Sequence, residues 1–587
     1  MIDSFFIEFN KLLKCNESST RISDCFNILL PNSNKPREYF LKNEEIYVFG
    51  DPIVSGQLSD SLLIEKYQNT LNVEEFARSI NGSFLLIIYN KFEKKLCIIN
   101  DRFASCPFYF YKLNEGSIVG SNNFRRLLKY KGNYGININS STIFEFIYFR
   151  KLFGTKTFEN EILYMDSASI IHVGVNSVDI HKYWNPDYTN NIDDDGKLID
   201  RLSSVLSKSV DAYTSDNSNC ALLLSGGIDS RAILAASNDS LTTCITTAQS
   251  KNNEYAVARE VADYFNKRHF YIERPDNIFD KELFDAIDIT GGMQVFNECQ
   301  FLGHKDYFPK DLDTFLTGYG LDILLTDLYL PTIKNTVFDL PVMHSKIMPI
   351  NGDIIKLFIN KSKYRLKTSD PFSIVKDEKK SDLYDYLYSE IEGNINRGTS
   401  LGAEGYKLWE YLNTNNLSRH YSYPMIMSIR TFAHCRIPAF DNDLFNISID
   451  MNYKHKLNSN IYLRTLNKLN PGLMNIRNAN TNMKAGWSAE QQTYLKYMYY
   501  VLDKLGIKDM PRYPGWKDRT WGMPYNIIAK SKKITNLVNK LSASERLMDL
   551  GYVDMDKVSR MIEQHHRREH DHAVLINLLL TIDEALK

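Results

Sequence analysis

An apolar run that stops at two glycines and an aspartate limits what this chain can be: residues 221–231 read ALLLSGGIDSR. A run without polar alternation predicts a strand buried on both faces, as in a parallel sheet covered by helices. Ser225-Gly226-Gly227 then places a loop at the carboxyl edge of that sheet, where such folds bind ligands. The glycines let backbone amides approach an anion, and a helix starting near Ser230 adds its partial positive charge. Asp229 adds a carboxylate of the kind that holds magnesium against phosphate oxygens. No GxxxxGK[ST] loop occurs in the chain, so the Walker arrangement is excluded. Taken alone, SGG is equally a plain strand-to-helix turn capped by Ser225.

The surroundings support the sheet. Ile199, Leu202, Leu206 and Val210 recur at helical spacing over Lys197–Tyr213, followed by the strand CALLLS, a helix from Ser230, the strand Thr243–Ala248 and a helix over Glu254–Phe265. Strands alternating with helices predict an α/β parallel sheet, and beyond about Asp370 the pattern becomes mainly helical, ending in Lys557–Lys587. From Glu45 to Ile180 the pattern is instead short β-like runs, among them GSFLLIIYN and KLCIIND, with one helical interval over Asp60–Asn81. That predicts an α+β sandwich. The polar stretch WNPDYTNNIDDDG at 184–196 reads as a linker, giving expected domains over 1–185 and 197–587.

With 587 residues the chain is too long for one core, and 43% hydrophobic with 24% charged residues is ordinary globular composition. A net charge of −1 gives no broad pull toward nucleic acid or an anionic membrane. The longest apolar runs are about half of what a bilayer-spanning helix needs, and no basic region precedes the first apolar residues. A cytoplasmic protein is expected, without nucleic-acid or membrane partners. Eight cysteines lie scattered with no CxxC, which favours reduced thiols over a disulfide or zinc framework.

Ser225-Gly226-Gly227-Ile228-Asp229-Ser230 resembles the pyrophosphate loop of the asparagine synthetase superfamily, whose members adenylate a carboxylate and then make an amide. Thr243–Ala248 resembles the family's adenine-side strand, and Asn253-Glu254 with Ala256-Val257-Ala258-Arg259 the helix after it. LTGYGLDILL at 316–325 resembles a later loop, with Asp322 as a second magnesium-binding carboxylate. The resemblance implies an ATP-pyrophosphatase domain holding ATP against Leu224, Ser225, Gly226, Gly227, Asp229, Ser230, Thr246 and Gly318. Mg2+ would lie on Asp229 and Asp322. Asp322 alone is equally a helix N-terminal acid.

Tyr319 departs from asparagine synthetases, which carry a glutamate there, and is similar to the tyrosine in the TGYGxD loop of β-lactam synthetases, where it helps deprotonate an amine. A phenol with a pKa near 10 needs a partner to act as a base at neutral pH. Glu410 is the nearest upstream acid, with His420 as another candidate. LRTLNKLNPGLMNIRNANTNMKAG at 463–486 resembles the family's helix and catalytic loop. That match implies Lys484 as the charge over the α-phosphate and the developing oxyanion. The bland alternatives are a packing role for Tyr319 and a solvated surface role for Lys484.

Gly82-Ser83-Phe84, Asp101-Arg102, Pro107-Phe108-Tyr109 and Gly120-Ser121 follow the pattern of a class II glutamine amidotransferase domain, which implies an Ntn amidotransferase-like sandwich. That domain's nucleophile is an N-terminal cysteine whose α-amine is its base. Here Met1 precedes Ile2 and the first cysteine is Cys15, so a degenerate domain without glutamine hydrolysis is expected unless processing exposes Cys15 or Cys25. The residues before Glu45 read as an extension. His565, His566, His570 and His572 sit among charges in a helical tail, read as a solvated or interdomain face rather than a metal site. YPGWKDRTWGMPYN at 513–526 fits either a substrate cleft or helix packing.

The expected activity is therefore an ATP-dependent ligase joining a small-molecule, peptide or sugar carboxylate to an amine or ammonia. Two alternatives stand beside it: an asparagine synthetase proper, and a non-catalytic nucleotide-binding relative. The sequence leaves the substrates open, and a homodimer is compatible with it.

Overall fold

The structure is a computed structural model that describes all residues except 1–3, 10–19, 23–24, 32–34, 115, 217, 239, 275–276, 338–339, 363–365, 367–368 and 507–523. Residues 513–523 of the aromatic segment, together with Met1, Ile2 and Cys15, lie outside the described residues.

Two six-stranded antiparallel sheets form the N-terminal part. The contiguous apolar strand Asn81–Asn90 shows why they stack between helices. Its Leu85, Ile87 and Tyr89 face the other sheet, meeting Ile7, Phe9, Phe26 and Ile28. Alternate residues Phe84, Leu86 and Ile88 face outward onto Leu63 and Phe76 of the helices Asp60–Asn69 and Val73–Ser79. Successive strand residues point to opposite faces, so a run with no polar alternation must be covered on both. On the far side, Phe6, Tyr109 and Val119 pack under the helices Phe124–Lys131 and Ser140–Phe149. Ser59, Asn72, Asn123 and Asn139 each accept a first-turn amide of one of these four helices.

Two expectations change here. The single helical interval is two helices, broken at Asn72, whose side chain caps the second. The residues before Glu45 are no appendage: Phe6–Phe9 pairs with both Ser117–Ser121 and Phe26–Leu29, in the middle of its sheet. A strand of four residues is too short for its alternation to stand out in sequence.

After the irregular stretch 184–194, the helix Asp195–Tyr213 leads into a five-stranded sheet. Its order is Arg268–Glu273, Thr243–Ala248, Cys220–Leu223, Thr314–Leu316, His434–Arg436, with every pair parallel. From Cys220–Leu223 the chain builds outward on one side and then returns to build on the other. The crevice between the ends of Cys220–Leu223 and Thr314–Leu316 is thus the topological switch point. The C-terminal region is largely helical. Its last helix, Ala573–Ala585, is buried almost all round, which explains an apolar run with no polar face. Among the described residues no helix is long and apolar enough to cross a membrane.

The N-terminal sheets and the parallel sheet are bolted together. Arg436, at the end of its strand, donates to Asp51 at 3.3 Å and to Asp216 at 2.5 Å, with Arg436 and Asp51 only 4% and 6% exposed. Asn81 donates to Asp441 at 2.6 Å, and Phe103 stacks on Phe440 with centroids 4.5 Å apart. Removing one member of a buried ion pair leaves the other desolvated and unmatched. Arg436→Met is therefore expected to lower the unfolding free energy by roughly 3–5 kcal/mol, read as a drop in the urea midpoint; an unchanged midpoint would contradict this account of the joint.

Candidate functional site

The loop after Cys220–Leu223 closes on itself. Ser225 N donates to Ser230 Oγ at 3.0 Å, the two serine hydroxyls lie 3.1 Å apart, and Gly227 N donates to Ser225 Oγ at 3.2 Å. Ser225 does not cap the helix Ile228–Ala236. Gly227 stands at the cap position, and no side chain takes the first amides.

The glycines answer to close packing. A Cβ on Gly226 would sit 2.3 Å from Ala479 Cβ, and one on Gly318 would sit 2.6 Å from the Asp229 carbonyl carbon. Gly318 therefore lets the 317–320 loop lie directly on the backbone of Asp229 and Ser230, and Gly320 turns it with φ +88°. This brings Asp322 beside Asp229. Burial and the Asp322 charge both push the Asp229 carboxyl well above the usual range, and a hydrogen bond from Tyr462 at 3.1 Å opposes the shift. Two carboxylates that raise each other's cost of ionisation are the donor set that a divalent cation relieves, and these two could hold one. Among the described residues no three His, Cys, Asp or Glu side chains cluster as a metal site. His565 of the C-terminal tail packs on Tyr525, and His572 bonds Ser369 at 2.8 Å.

A cavity of about 320 Å³ opens over this loop. It is lined by Leu224, Ser225, Asp229, Ser230, Gly318, Tyr319 and Asp322, together with Glu254 and His420. Thr246 does not line it: its hydroxyl is held between Leu224 O at 2.7 Å and His269 Nε2 at 2.8 Å, while its neighbours Ile245 and Thr247 face the space. Period-two alternation along the strand separates them. Lys484 is exposed and outside the lining. Its loop nevertheless rests on the cradle, through Ala479 N to Gly226 O at 3.1 Å and Asn253 Nδ2 to Ala479 O at 2.7 Å.

Tyr319 meets His420 rather than a carboxylate. Its hydroxyl lies 3.3 Å from Nδ1, and Tyr329 hydroxyl closely approaches Nε2. Nδ1 also lies 2.8 Å from the Ser422 hydroxyl and accepts from Ser422 N–H at 3.4 Å, so Tyr319 and Ser422 both converge on this ring atom. Burial pushes the Tyr319 hydroxyl well above its usual range, so it rests as a neutral phenol. Glu410, the other candidate partner, forms an ion pair with Lys456 at 2.8 Å and lines a separate cavity.

Tyr462 and Tyr329 had no functional signal in the sequence, and Glu254 reads there only as part of the helix after the second strand. Tyr462 reaches Asp229 from a helix 233 residues away, and Tyr329 reaches His420 across 91 residues. Glu254, at the start of the helix Asn253–Tyr264, is pushed up to about 7 by burial, opposed by the Gly226 amide it accepts from.

Residues 59–184 match the family described as glutamine amidotransferase domain, and residues 201–303 the family described as asparagine synthase. In that order the two matches are consistent with the class II amidotransferase and asparagine synthetase superfamily. Among individual proteins, the chain is similar to carboxyethyl-arginine beta-lactam-synthase of Streptomyces clavuligerus. The two are 26% identical over 161 residues, 26% of this chain and 31% of that relative, so the match spans less than a third of its length. Two solved structures resemble the fold only remotely. The allosteric regulatory enzyme of purine biosynthesis gives a TM-score of 0.22 at 7% identity over 47% of this chain and 76% of that one. The glutamine phosphoribosylpyrophosphate amidotransferase of B. subtilis complexed with ADP and GMP gives 0.20 at 9% over 46% and 59%. Neither carries an argument.

Repulsion between the two aspartates yields a stability prediction. Asp322→Asn is expected to raise the melting temperature of metal-free protein and to abolish any further rise on adding Mg2+. A lower metal-free melting temperature in differential scanning fluorimetry would contradict the repulsive pairing.

Proposed function

We propose that this protein is an ATP-dependent ligase that adenylates a carboxylate and transfers the acyl group to an amine or ammonia. The observation that carries this reading is the sharing of one cavity by the Ser225–Ser230 loop, the Asp229–Asp322 pair and the Tyr319–His420 pair. In this reading the triphosphate of ATP lies on the amides of Ser225 to Ser230. Asp229, oriented by Tyr462, and Asp322 would hold Mg2+, which would supply charge neutralisation to the phosphates. The substrate carboxylate attacks the α-phosphorus, forming the acyl–AMP bond and releasing pyrophosphate. The amine then attacks the acyl carbon and AMP leaves.

Tyr319 and His420 supply the proton path of the second step. As the amine attacks, its proton passes to the Tyr319 oxygen while the phenol proton passes to His420 Nδ1, the ring atom on which Tyr319 and Ser422 converge. A neutral imidazole is available near neutral pH, whereas a phenolate is not. Lys484 would steady the oxyanion once its loop closes over the Gly226 cradle. A relative named as a beta-lactam-synthase supports an amine acceptor over free aspartate chemistry.

We place the nitrogen supply outside glutamine hydrolysis. Cys106, the cysteine beside Gly50 and Arg430, has its thiol pushed up to about 11 by burial, the wrong direction for a nucleophile.

ATP–pyrophosphate exchange across a panel of carboxylic acids tests the first step. Asp229→Asn is expected to reduce exchange by at least about a hundredfold; exchange with no acid at all would remove the ligase reading. His420→Asn and Tyr319→Phe are expected to lower amide formation by about 10²–10⁴ while leaving exchange intact, because a base is needed only after adenylation. Equal loss in both assays would refute that division. Glutamate release from added glutamine is expected to stay at background, and release at a rate matching amide formation would overturn the nitrogen assignment.

A further inference from the structure

A second cavity, of about 270 Å³, adjoins the first and shares Leu328, His420 and Tyr421 with it as a common wall. Its other walls come from both halves of the molecule. Phe149 and Phe153 enter from the N-terminal part, their rings 5.3 Å apart, and face Phe358 and Trp409, whose centroids are 5.1 Å apart. Two lysines line it: Lys361, which is exposed, and Lys151, whose ammonium stands beside the rings. Lys151 Nζ donates to Leu412 O at 2.7 Å and lies 4.5 Å from the Phe153 ring. An ammonium has three donors, and among the described residues no carboxylate forms an ion pair with it. Burial and the nearby Arg419 charge push it down to about 7, a cost that an incoming anion would reverse. The volume is near the roughly 300 Å³ lower end of small-ligand sites, and beside Lys151 its apolar walls carry polar groups at Thr332, Lys361, Ser362 and Asn413, the mixture by which such sites orient a ligand.

We propose that this chamber binds the side chain of a reactant joined in the first cavity, and that this side chain is apolar or aromatic and ends in an anionic group held by Lys151. The inference rests on the amide-forming reading for the identity of the reactant. It assigns the N-terminal part a role in substrate selection, because that part supplies Lys151 and the aromatic walls Phe149 and Phe153.

The test uses the full-length protein and two probes, para-phenylenediacetate and phenylacetate, which differ by one carboxylate. Calorimetric titration is expected to show the diacid binding about tenfold tighter or more, the scale of a charge-assisted hydrogen bond. Lys151→Gln keeps a donor for Leu412 O but loses the charge, and is expected to erase the difference. Asn413→Phe, which narrows the chamber, is expected to weaken both probes while leaving ATP binding unchanged. Equal affinities in the native protein, no binding of either probe, or an unchanged preference in Lys151→Gln would overturn the proposal. The two readings fail separately. Diacid binding that depends on Lys151, without pyrophosphate exchange from any acid, keeps the chamber and removes the ligase. Exchange with small acids alone, unaffected by Lys151→Gln, keeps the ligase and removes the chamber. Exchange stimulated by the diacid assigns the side chain to the acyl reactant, and displacement of the diacid by para-(aminomethyl)phenylacetate without such exchange assigns it to the amine.

Discussion

Everything in the first cavity depends on holding Asp229 and Asp322 against each other despite their repulsion. A chain does not bring two carboxylates together in a half-buried crevice without a local reason, because ionised groups lose solvation there and repel as well. The reason is geometric. Gly318 has no side chain, so the loop after Thr314–Leu316 settles on the Asp229 backbone, and the helix that follows must present Asp322 at that point. Tyr462 offsets part of the cost by donating to Asp229. Sites that keep such unfavourable pairs are the places where fold stability yields to chemistry.

The same crevice explains the company these aspartates keep. At a topological switch point the loops diverge and leave space, which the 417–423 segment partly fills with His420 and Tyr421. His420 is fixed from both ring nitrogens and through its backbone, since Gln294 donates to its carbonyl at 3.0 Å. A side chain so held keeps one orientation, which is what the proton transfer proposed for it requires. Tyr319 inserts between this imidazole and the carboxylate pair, and Phe440 and Tyr423 pack its ring edge-on.

The parallel sheet was legible from the run CALLLS and from the alternation of strands with helices, whereas Arg268–Glu273 and His434–Arg436 carry no apolar run of that length. Thr243–Ala248 occurs over the residues expected, and the helices Asp195–Tyr213 and Asn253–Tyr264 begin and end within two residues of the pattern. The loop residues Ser225, Asp229, Gly318, Tyr319 and Asp322 were legible as motifs, since their spacing survives without any knowledge of contacts. What failed to show is what needs three dimensions. The strand Phe6–Phe9 gains its central place by pairing on one edge with Phe26–Leu29 and on the other with Ser117–Ser121, more than a hundred positions away. Thr246 reads as a site residue in sequence, yet strand alternation turns its hydroxyl from the cavity toward His269. Tyr462, Tyr329 and the Phe149–Phe153 wall carry no local pattern, because each acts only where distant segments meet.

Lys484 shows how a residue outside the cavity can still belong to its mechanics. The buried guanidinium of Arg231 donates to Gly226 O at 2.9 Å, to Ile476 O at 3.3 Å and to Arg477 O at 2.5 Å. One rigid, planar group therefore ties the anion cradle to the base of the loop that carries the lysine, whose two strands are bridged at Arg477 and Lys484. Ala479, pressed onto Gly226, makes the contact unyielding. A shift of the Gly226 peptide on receiving a charged ligand cannot stay local, because its carbonyl is shared by Arg231 and Ala479. Packed elements respond to such shifts by moving together rather than by deforming. The last residue of ALLLSGGIDSR is thus the physical link between the Ser225–Ser230 loop and the loop that carries the exposed Lys484.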